Sequence, residues 1–326
     1  MLDSLFFSLD NPDMNADPFS DILRLTNAQT VVTEGFSAGG SWAIRFPAPD
    51  EITFFAIAKG RAWVCIDGKE PVRAEACDAF LLSVHKSFVL ASDQQAVPIE
   101  AISVFKSAPL KSATLGEGHD FTHIGGHVVV DPEKASLLAD VLPPLVHVRA
   151  ASARASVLVW LIEQMARECD AEFPGGSLAL EHLAQLMFIQ ILRVHLETAK
   201  TLSAGWLRAA SDKRLAPVLR MMHDDPARAW QLEDLAKIAG MSRTTFAAYF
   251  KAVSGLAPLT YLTEWRMRLA ARALRDDDTP INVIAGQLGY ASESAFSNAF
   301  KRVTGNAPKR YRTAARASYA SAVTRA

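Results

Sequence analysis

The 326-residue chain is short of cysteine and has no long apolar run, and each shortage removes a class of protein. Its cysteines, Cys65, Cys77 and Cys169, are odd in number and show no C-x-x-C spacing. Neither a disulfide framework nor a structural zinc site is therefore expected. Free cysteines of this kind are ordinarily small buried hydrophobes. No apolar run approaches the roughly 18–20 residues needed to cross a bilayer. The start, Met1-Leu2-Asp3-Ser4-Leu5-Phe6-Phe7, lacks the basic residues of a signal peptide, so a cytoplasmic protein with no membrane partner is expected. Ser, His and Asp are scattered without an H-E-x-x-H motif or an evident nucleophile–base set, so the expectation is that the chain is not an enzyme and needs no cofactor.

Charge is plentiful but unevenly placed. Residues 1–213 carry 17 Lys and Arg against 26 Asp and Glu, a balance of −9, and residues 214–326 carry 17 against 9, a balance of +8. Seven of the eight histidines fall in the acidic part. A basic end on an acidic body places any polyanionic partner at that end.

From about Thr30 to Val130 the chain reads as short strands. Ser41–Phe46, Ile52–Ala58, Arg61–Ile66, Ala79–Val84 and Ile99–Phe105 are rich in β-branched and aromatic residues. Gly39-Gly40, Pro47–Asp50, Lys59-Gly60 and Asp67-Gly68 punctuate them. Many short strands at this spacing predict a small antiparallel barrel or sandwich. Past Asp131-Pro132 the period becomes helical over Val157–Cys169 and Leu178–Leu196, with a break at Pro174-Gly175-Gly176. Leu183, Leu186, Met187, Ile189 and Gln190 give the second of these helices a wider apolar face than one barrel needs to cover, which predicts a homodimer.

The basic end contains an internal repeat. Leu235 to Met241 matches Ile284 to Tyr290 at an offset of 49, and Phe246, Phe250, Gly255, Pro258 and Tyr261 return 50 residues later as Phe296, Phe300, Gly305, Pro308 and Tyr311. Each copy reads as helix, tight turn, helix. Leu232, Leu235, Ala236 and Ala239 form an i, i+3, i+4, i+7 face. Gly240 supplies a left-handed residue to end that helix, and Ser242 caps the next. In that second helix Phe246 and Phe250 point to the core, while Arg243, Thr244, Thr245, Ala248 and Lys251 look outward. The second copy opens with Thr279-Pro280, read as a cap followed by proline at the first helical position. Gly289 makes its turn and Ser292 caps its second helix, leaving Glu293, Ser294, Asn298, Lys301 and Arg302 exposed. Leu259–Leu274 reads as one amphipathic spacer helix of roughly 24 Å. A spacer of that size can hold two recognition helices about one DNA turn apart, ~34 Å.

The strings AGMSRTTF at 239–246, YLTEWRMRLA at 261–270, GYASESAF at 289–296 and GNAPKRYR at 305–312 closely resemble the DNA-binding domain of the AraC/XylS family of transcription regulators. The resemblance covers about a hundred residues. It implies base contacts from Thr244, Ala247 and Ala248 in the first recognition helix and from Ser294, Ala295 and Asn298 in the second. The family commonly has arginine where this chain has Asn298, which suits adenine better than guanine. Ser242, Arg243, Lys251, Ser292, Lys301 and Arg302 complete the expected DNA-binding set, with the lysines and arginines reaching phosphates. Double-stranded promoter DNA is the expected partner, together with RNA polymerase if the protein activates.

The front half resembles the cupin-type sensor fused to a subset of these regulators, through ADPFSDILRL at 16–25, WAIRFPAP at 42–49 and LPPLVH at 142–147. The expected organisation is a multidomain α+β chain. A cupin-like β-barrel sensor occupies 1–135 and a helical dimerisation or connecting segment 136–205. An all-α domain of two helix-turn-helix units (about 231–251 and 280–302) fills 211–314, with a tail at 315–326. The barrel mouth can hold a small effector. Cupin enzymes bind metal through a His-x-His pair, which is absent here. His85 is isolated, and His119, His123 and His127, spaced by four on a strand, lie ~13 Å from one to the next, too far to share an ion. Some regulators with this sensor respond to oxidants, which makes Cys77 the redox candidate. Glu75 and Asp78 beside it would raise its pKa, so a structural cysteine is the plainer expectation. The alternative to a regulator is a cupin-fold enzyme with an accessory nucleic-acid-binding tail.

Overall fold

The computed structural model describes residues 17–83, 86–105, 113–130, 138, 140–171, 173–199 and 202–323. His85 and the expected boundary at 135/136 lie outside them. The chain divides into two compact units, one of Thr26–Leu202 and one joining Ser203 onward to the segment that ends at Leu25.

The first unit is built on β1 (Gln29–Ala38), β2 (Ala43–Phe46), β3 (Ile52–Lys59), β4 (Arg61–Ile66), β5 (Val72–Glu75), β6 (Ala79–Leu82), β7 (Phe88–Ala91), β8 (Ile99–Glu100), β9 (Ala113–Leu115), β10 (Phe121–Val129) and β11 (Leu145–Val148). Six strands form one sheet in the order β11-β6-β3-β10-β1-β9, and five form another in the order β5-β4-β7-β2-β8. Phe36, Phe55 and Phe80 from the first meet Ile44, Val64 and Leu90 from the second in one core. Alternation sets which residues enter: along β4, Ala62, Val64 and Ile66 are buried while Arg61, Trp63 and Cys65 are not.

The cupin-like β domain is there, with differences in detail from the expected antiparallel barrel. The sheets pack face to face without closing, and β1 pairs with β9, and β2 with β8, in parallel. Both parallel partners are short edge strands reached by long connections rather than hairpins. Ile99–Phe105 is also mostly not strand, because only Ile99–Glu100 pairs and Ala101–Phe105 forms helix α2. The reason is spacing: Ala101, Val104 and Phe105 fall at i, i+3, i+4 and pack on the core, leaving Ile102 exposed. A helical face here outweighs β-branched composition.

Helices α3 (Ser156–Asp170) and α4 (Gly176–Thr198) form the helical pair. The α4 side chain Gln185 grips the start of β1 at both ends of its amide, accepting from Thr30 N at 3.1 Å and donating to the Ala28 carbonyl at 3.1 Å. No helix among the described residues is long and apolar enough to cross a membrane.

The second unit comprises α1 (Pro18–Thr26), whose residues to Leu25 belong here, then α5 (Trp206–Ser211), α6 (Ala216–Asp224), α7 (Leu232–Ile238), α8 (Arg243–Ser254), α9 (Pro258–Asp276), α10 (Ile281–Gln287), α11 (Glu293–Thr304) and α12 (Pro308–Val323). Helix α1, counted with the sensor in the sequence, thus makes its contacts in the C-terminal unit. It buries Phe19, Ile22 and Leu23, and Phe19 meets Trp206 at 6.2 Å. At its centre is a fully buried polar chain. Tyr261 Oη donates to His223 Nε2 at 3.0 Å, and His223 Nδ1–H donates to Asp21 Oδ2 at 3.0 Å. The neutral Nδ1–H tautomer is the one that satisfies both bonds. The imidazole also stacks on Trp265 at 3.7 Å.

Burial pushes the His223 pKa below the ordinary 6.5, against the opposing pull of Asp21. A histidine depressed in the native state contributes full stability above its unfolded pKa and loses that contribution as pH falls toward the native value. The urea midpoint of the C-terminal unit should therefore drop as pH is lowered from 7.5 to 5, and His223→Gln should flatten the drop. A wild-type midpoint constant over that range contradicts this role for His223.

Candidate nucleic-acid interface

The two repeats fold through the same local chemistry. Helix α7 ends in a pair of crossed bonds, Met241 N to the Ala236 carbonyl and Gly240 N to the Lys237 carbonyl, with Gly240 at φ +65°. Helix α10 ends identically, Tyr290 N to Ala285 and Gly289 N to Gly286, with Gly289 at φ +77°. This is the Schellman arrangement, which places a left-handed residue just past the helix. The next helix then begins on a serine in both copies. Ser242 Oγ accepts from Thr245 N at 3.3 Å, and Ser292 Oγ accepts from Ala295 N at 3.2 Å. The opening of the second copy differs from expectation. Pro280 is itself the cap, its carbonyl accepting from Ile284 N, while the Thr279 hydroxyl donates to Asp277 at 2.9 Å.

The apolar sides also repeat. Phe246 and Phe250 pack edge to face at 5.6 Å, and Phe250 meets Tyr261 at 5.7 Å. Their counterparts Phe296 and Phe300 lie 5.8 Å apart, with Phe300 meeting Tyr311 at 5.4 Å. Between them α9 runs unbroken for 19 residues, about 28 Å. It buries Tyr261, Leu262 and Trp265 in its first half, and its second half puts Met267, Ala270 and Leu274 into the second core with Ile284, Phe296 and Phe300.

A second tie, with no signal in the sequence spacing, joins the two copies. Arg266 on α9 donates from Nε to the Pro226 carbonyl at 2.6 Å and from an Nη to the Arg228 carbonyl at 2.9 Å, and its guanidinium lies 5.8 Å from the Tyr290 ring. The Pro226–Arg228 loop leads into α7, and its Ala227 carbonyl presses on the α10–α11 turn. A Cβ on Gly289 would sit 2.1 Å from that oxygen.

Packing Phe246 and Phe250 inward turns one face of α8 outward. Thr244, Ala248 and Lys251 are exposed and Ala247 is half-buried, spaced at i, i+3, i+4 and i+7. On α11, Ser294, Ala295, Asn298, Lys301 and Arg302 are exposed. The structure brings each expected set onto one face of its own helix. Ser242 and Ser292 serve as caps, and Ser294 Oγ lies 3.0 Å from Ser292 Oγ. Arg243 is engaged with Glu233 on α7 at 2.7 Å. The Asn298 and Lys301 side chains make no hydrogen bond or ion pair within the described residues. The outward atoms are hydroxyls, methyls, one carboxamide and cations, suited to base edges and phosphates.

The sensor's chemistry-bearing residues do not assemble in this way. His123 is buried against Phe36 at 4.9 Å, His127 Nε2 lies 3.3 Å from Glu51, and the His119 carbonyl accepts from Lys59. Among the described residues, no three His, Cys, Asp or Glu group to hold a metal ion. Burial, with Glu163 and Asp78, pushes the Cys77 thiol pKa up. Burial alone raises Cys65, and burial with Asp170 and Glu168 takes Cys169 to about 11. One string, Gly35-Phe36-Ser37-Ala38-Gly39, does have the G-x-S-x-G form of a hydrolase nucleophile turn. Here Ser37 lies inside a strand, opposite Thr122 of β10 and Thr114 of β9, not on the strand-to-helix turn such a nucleophile requires.

Two capped helix-turn-helix units on one rigid helix, joined to a β-sandwich, define a DNA-binding transcription regulator. Residues 17–197 match the Cupin family and residues 235–314 the Helix-turn-helix domain family. The chain is 41% identical over 297 residues to a putative AraC-like transcription regulator of Streptomyces lividans, covering 91% of this chain and 98% of that one. It is 29% identical over 284 residues to the HTH-type transcriptional regulator AlkR of Acinetobacter baylyi, covering 84% and 91%. The chain belongs to the AraC-like family of transcription regulators. Among solved structures, it is 34% identical to the DNA-binding domain of AdpA in complex with a target DNA, with a TM-score of 0.32 over 33% of this chain and 96% of that one.

The two turn glycines allow an internal comparison. A Cβ on Gly240 meets nothing within 4 Å, so Gly240→Ala should cost only the left-handed penalty, about 1–2 kcal/mol. Gly289→Ala adds the collision with Ala227 and should cost about 1–3 kcal/mol more. Denaturation of the two variants checks the difference, and equal losses would remove the loop contact as a structural tie.

Proposed function

We propose that the protein reads promoter DNA through two adjacent major-groove contacts and is controlled by a small molecule bound in the cupin domain. The observation that carries the reading is the duplicated outward face. Thr244, Ala248 and Lys251 on α8 recur as Ser294, Asn298 and Lys301 on α11, each on a serine-capped helix fixed to α9. In this reading Thr244, Ala247, Ala248, Ser294, Ala295 and Asn298 meet base edges, while Lys251, Lys301 and Arg302 neutralise phosphate. Arg243, already paired with Glu233, contributes less than its exposure implies. The protein acts in the cytoplasm, where its DNA lies, as a regulator rather than an enzyme. The relatives' names as transcription regulators and the mid-strand position of Ser37 support this. RNA polymerase is the further partner that activation would require. Thiol chemistry at Cys77 forms no part of the reading, because its surroundings disfavour the thiolate.

The two kinds of exposed residue should fail differently. Asn298→Ala should cost about 1–3 kcal/mol on the best operator and relax preference at one base pair. Lys301→Ala should weaken all sequences about equally and shallow the salt dependence by roughly one unit of slope. Affinities for single-base operator variants at two salt concentrations distinguish the two. An unchanged preference profile for a stably folded Asn298→Ala takes Asn298 off the reading face.

The same protein acts as a homodimer through its helical pair. Val157 and Trp160 on α3, Leu178 and Leu186 on α4 and Phe173 between them are large apolar side chains left exposed, more than isolated surface positions explain. Sedimentation of the full chain at tens of micromolar should give a dimer, and Trp160→Glu with Leu186→Glu a monomer. A monomeric wild type contradicts it.

A further inference from the structure

We propose that the turn joining α5 to α6 is a further DNA contact, in which Lys213 and Arg214 hold the phosphate ridge beside the first recognition helix; this rests on the DNA reading given above. Neither residue lies in a helix-turn-helix unit, and the turn precedes the stretch 235–314 that matches the Helix-turn-helix domain family.

The segment from Gly205 to Leu215 is fastened to one flank of α8 at two points. Gly205 N donates to the Val253 carbonyl at 3.0 Å, and the Tyr249 hydroxyl donates to Asp212 Oδ2 at 2.6 Å. Tyr249 and Val253 are four residues apart and share a side of the helix, Tyr249 lying about 100° round from Ala248 on the exposed face. Between the two ties Trp206, Leu207 and Ala209 are buried. The second recognition helix leaves the matching side open. Val303, which repeats Val253, is 41% exposed where Val253 is 2%, and Ala299 stands where the first copy has Tyr249.

Asp212 orders the turn that carries the cations. Its Oδ1 accepts from Arg214 N at 2.9 Å and from Leu215 N at 3.0 Å, while Oδ2 takes the phenol, so both oxygens are engaged. Lys213 and Arg214 are exposed and Arg208 is half-buried. The bond to Asp212 pushes the Tyr249 pKa up, and the Arg214 and Arg208 guanidiniums pull the other way, which places both cations near the phenol. The groove decides what this flank meets. A major groove ~12 Å wide takes a helix of about 10–12 Å with its side chains, so elements on either side of that helix face the two phosphate ridges. On one side of Ala248, Arg243 ties α8 to Glu233 of α7 at 2.7 Å. On the other side stands the Asp212–Leu215 turn. Cations on a turn already ordered pair with phosphate at a small loss of freedom. Such contacts fix the position of α8 and add affinity on any sequence. Tyr249 and Asp212 are the positioning residues.

Fluorescence anisotropy of the full-length protein on its own upstream DNA, across a range of salt, tests this. Lys213→Gln with Arg214→Gln should weaken binding roughly tenfold near physiological salt and shallow the salt dependence by about two units of slope. The loss should be equal on single-base variants of the site, and Lys213→Arg with Arg214→Lys should restore it. Tyr249→Phe keeps the ring and drops the tie to Asp212, so it should lose part of the same slope, and an unchanged slope removes the positioning role. Uncharged methylphosphonates, placed one at a time along the DNA, locate the contact. At the flanking phosphates they should weaken the wild type and leave the double Gln variant unaffected. Unchanged affinity and slope in the double variant, a loss confined to particular base pairs, or equal sensitivity of both proteins at every methylphosphonate would overturn the proposal and leave the two-helix reading in place. Failure of the wild type to bind its upstream DNA sinks that reading itself.

Discussion

The constraint on which the DNA-binding unit depends is that one helix belongs to two cores. Tyr261, Leu262 and Trp265 are buried on the side of the first helix-turn-helix, and Met267, Ala270 and Leu274 on the side of the second. Since α9 is continuous, neither recognition helix can rotate without disturbing close-packed aromatics at the other end. The Arg266 bonds to the Pro226 and Arg228 carbonyls and the fit of Gly289 against Ala227 close the same arrangement from a second direction. The phased recognition proposed above draws on this rigidity: two helices held at a fixed offset can enter successive grooves together, and a flexible pair would lose that advantage to entropy.

Helix α1 extends the network toward the front of the sequence. Asp21, His223 and Tyr261 form a buried hydrogen-bonded chain, with the His223 ring stacked on Trp265. Trp265 and Tyr261 are also central to the first core, so the N-terminal segment is tied to the residues that set the position of α8. The same segment runs directly into β1, which Gln185 anchors in the sandwich unit.

What the sequence made legible was local. Gly240, Ser242, Gly289 and Ser292 act through bonds spanning three to five residues, so their spacing alone specified both turns, and the inward phenylalanines fixed which face of each recognition helix looks out. The base-reading assignments came from family resemblance laid over that face. Errors arose where two local signals competed, as at Ile99–Phe105, where β-branched composition masked a helical i, i+3, i+4 set, and at Thr279-Pro280, where proline took the cap position. Long-range features left no trace. The parallel partners β8 and β9, the Arg266 tie and the Asp21–His223 bond across 202 residues depend on tertiary packing that no periodicity encodes. The lone histidine in the basic end, His223, was the only available hint. In the sandwich, the close approach of His123 to Gly125 and of Val31 to Gly126 shows why side chains are excluded there.

In the proposed function, one chain holds two recognition helices in successive major grooves on one face of the duplex. Hydroxyl-radical footprinting of the full-length protein on its own upstream DNA tests it most directly. Each bound subunit should give two protected segments about 10 base pairs apart on the same face, both weakened when Gly289→Ala disturbs the tie between the units. A single protected segment per subunit, or two whose spacing varies from site to site, would contradict it.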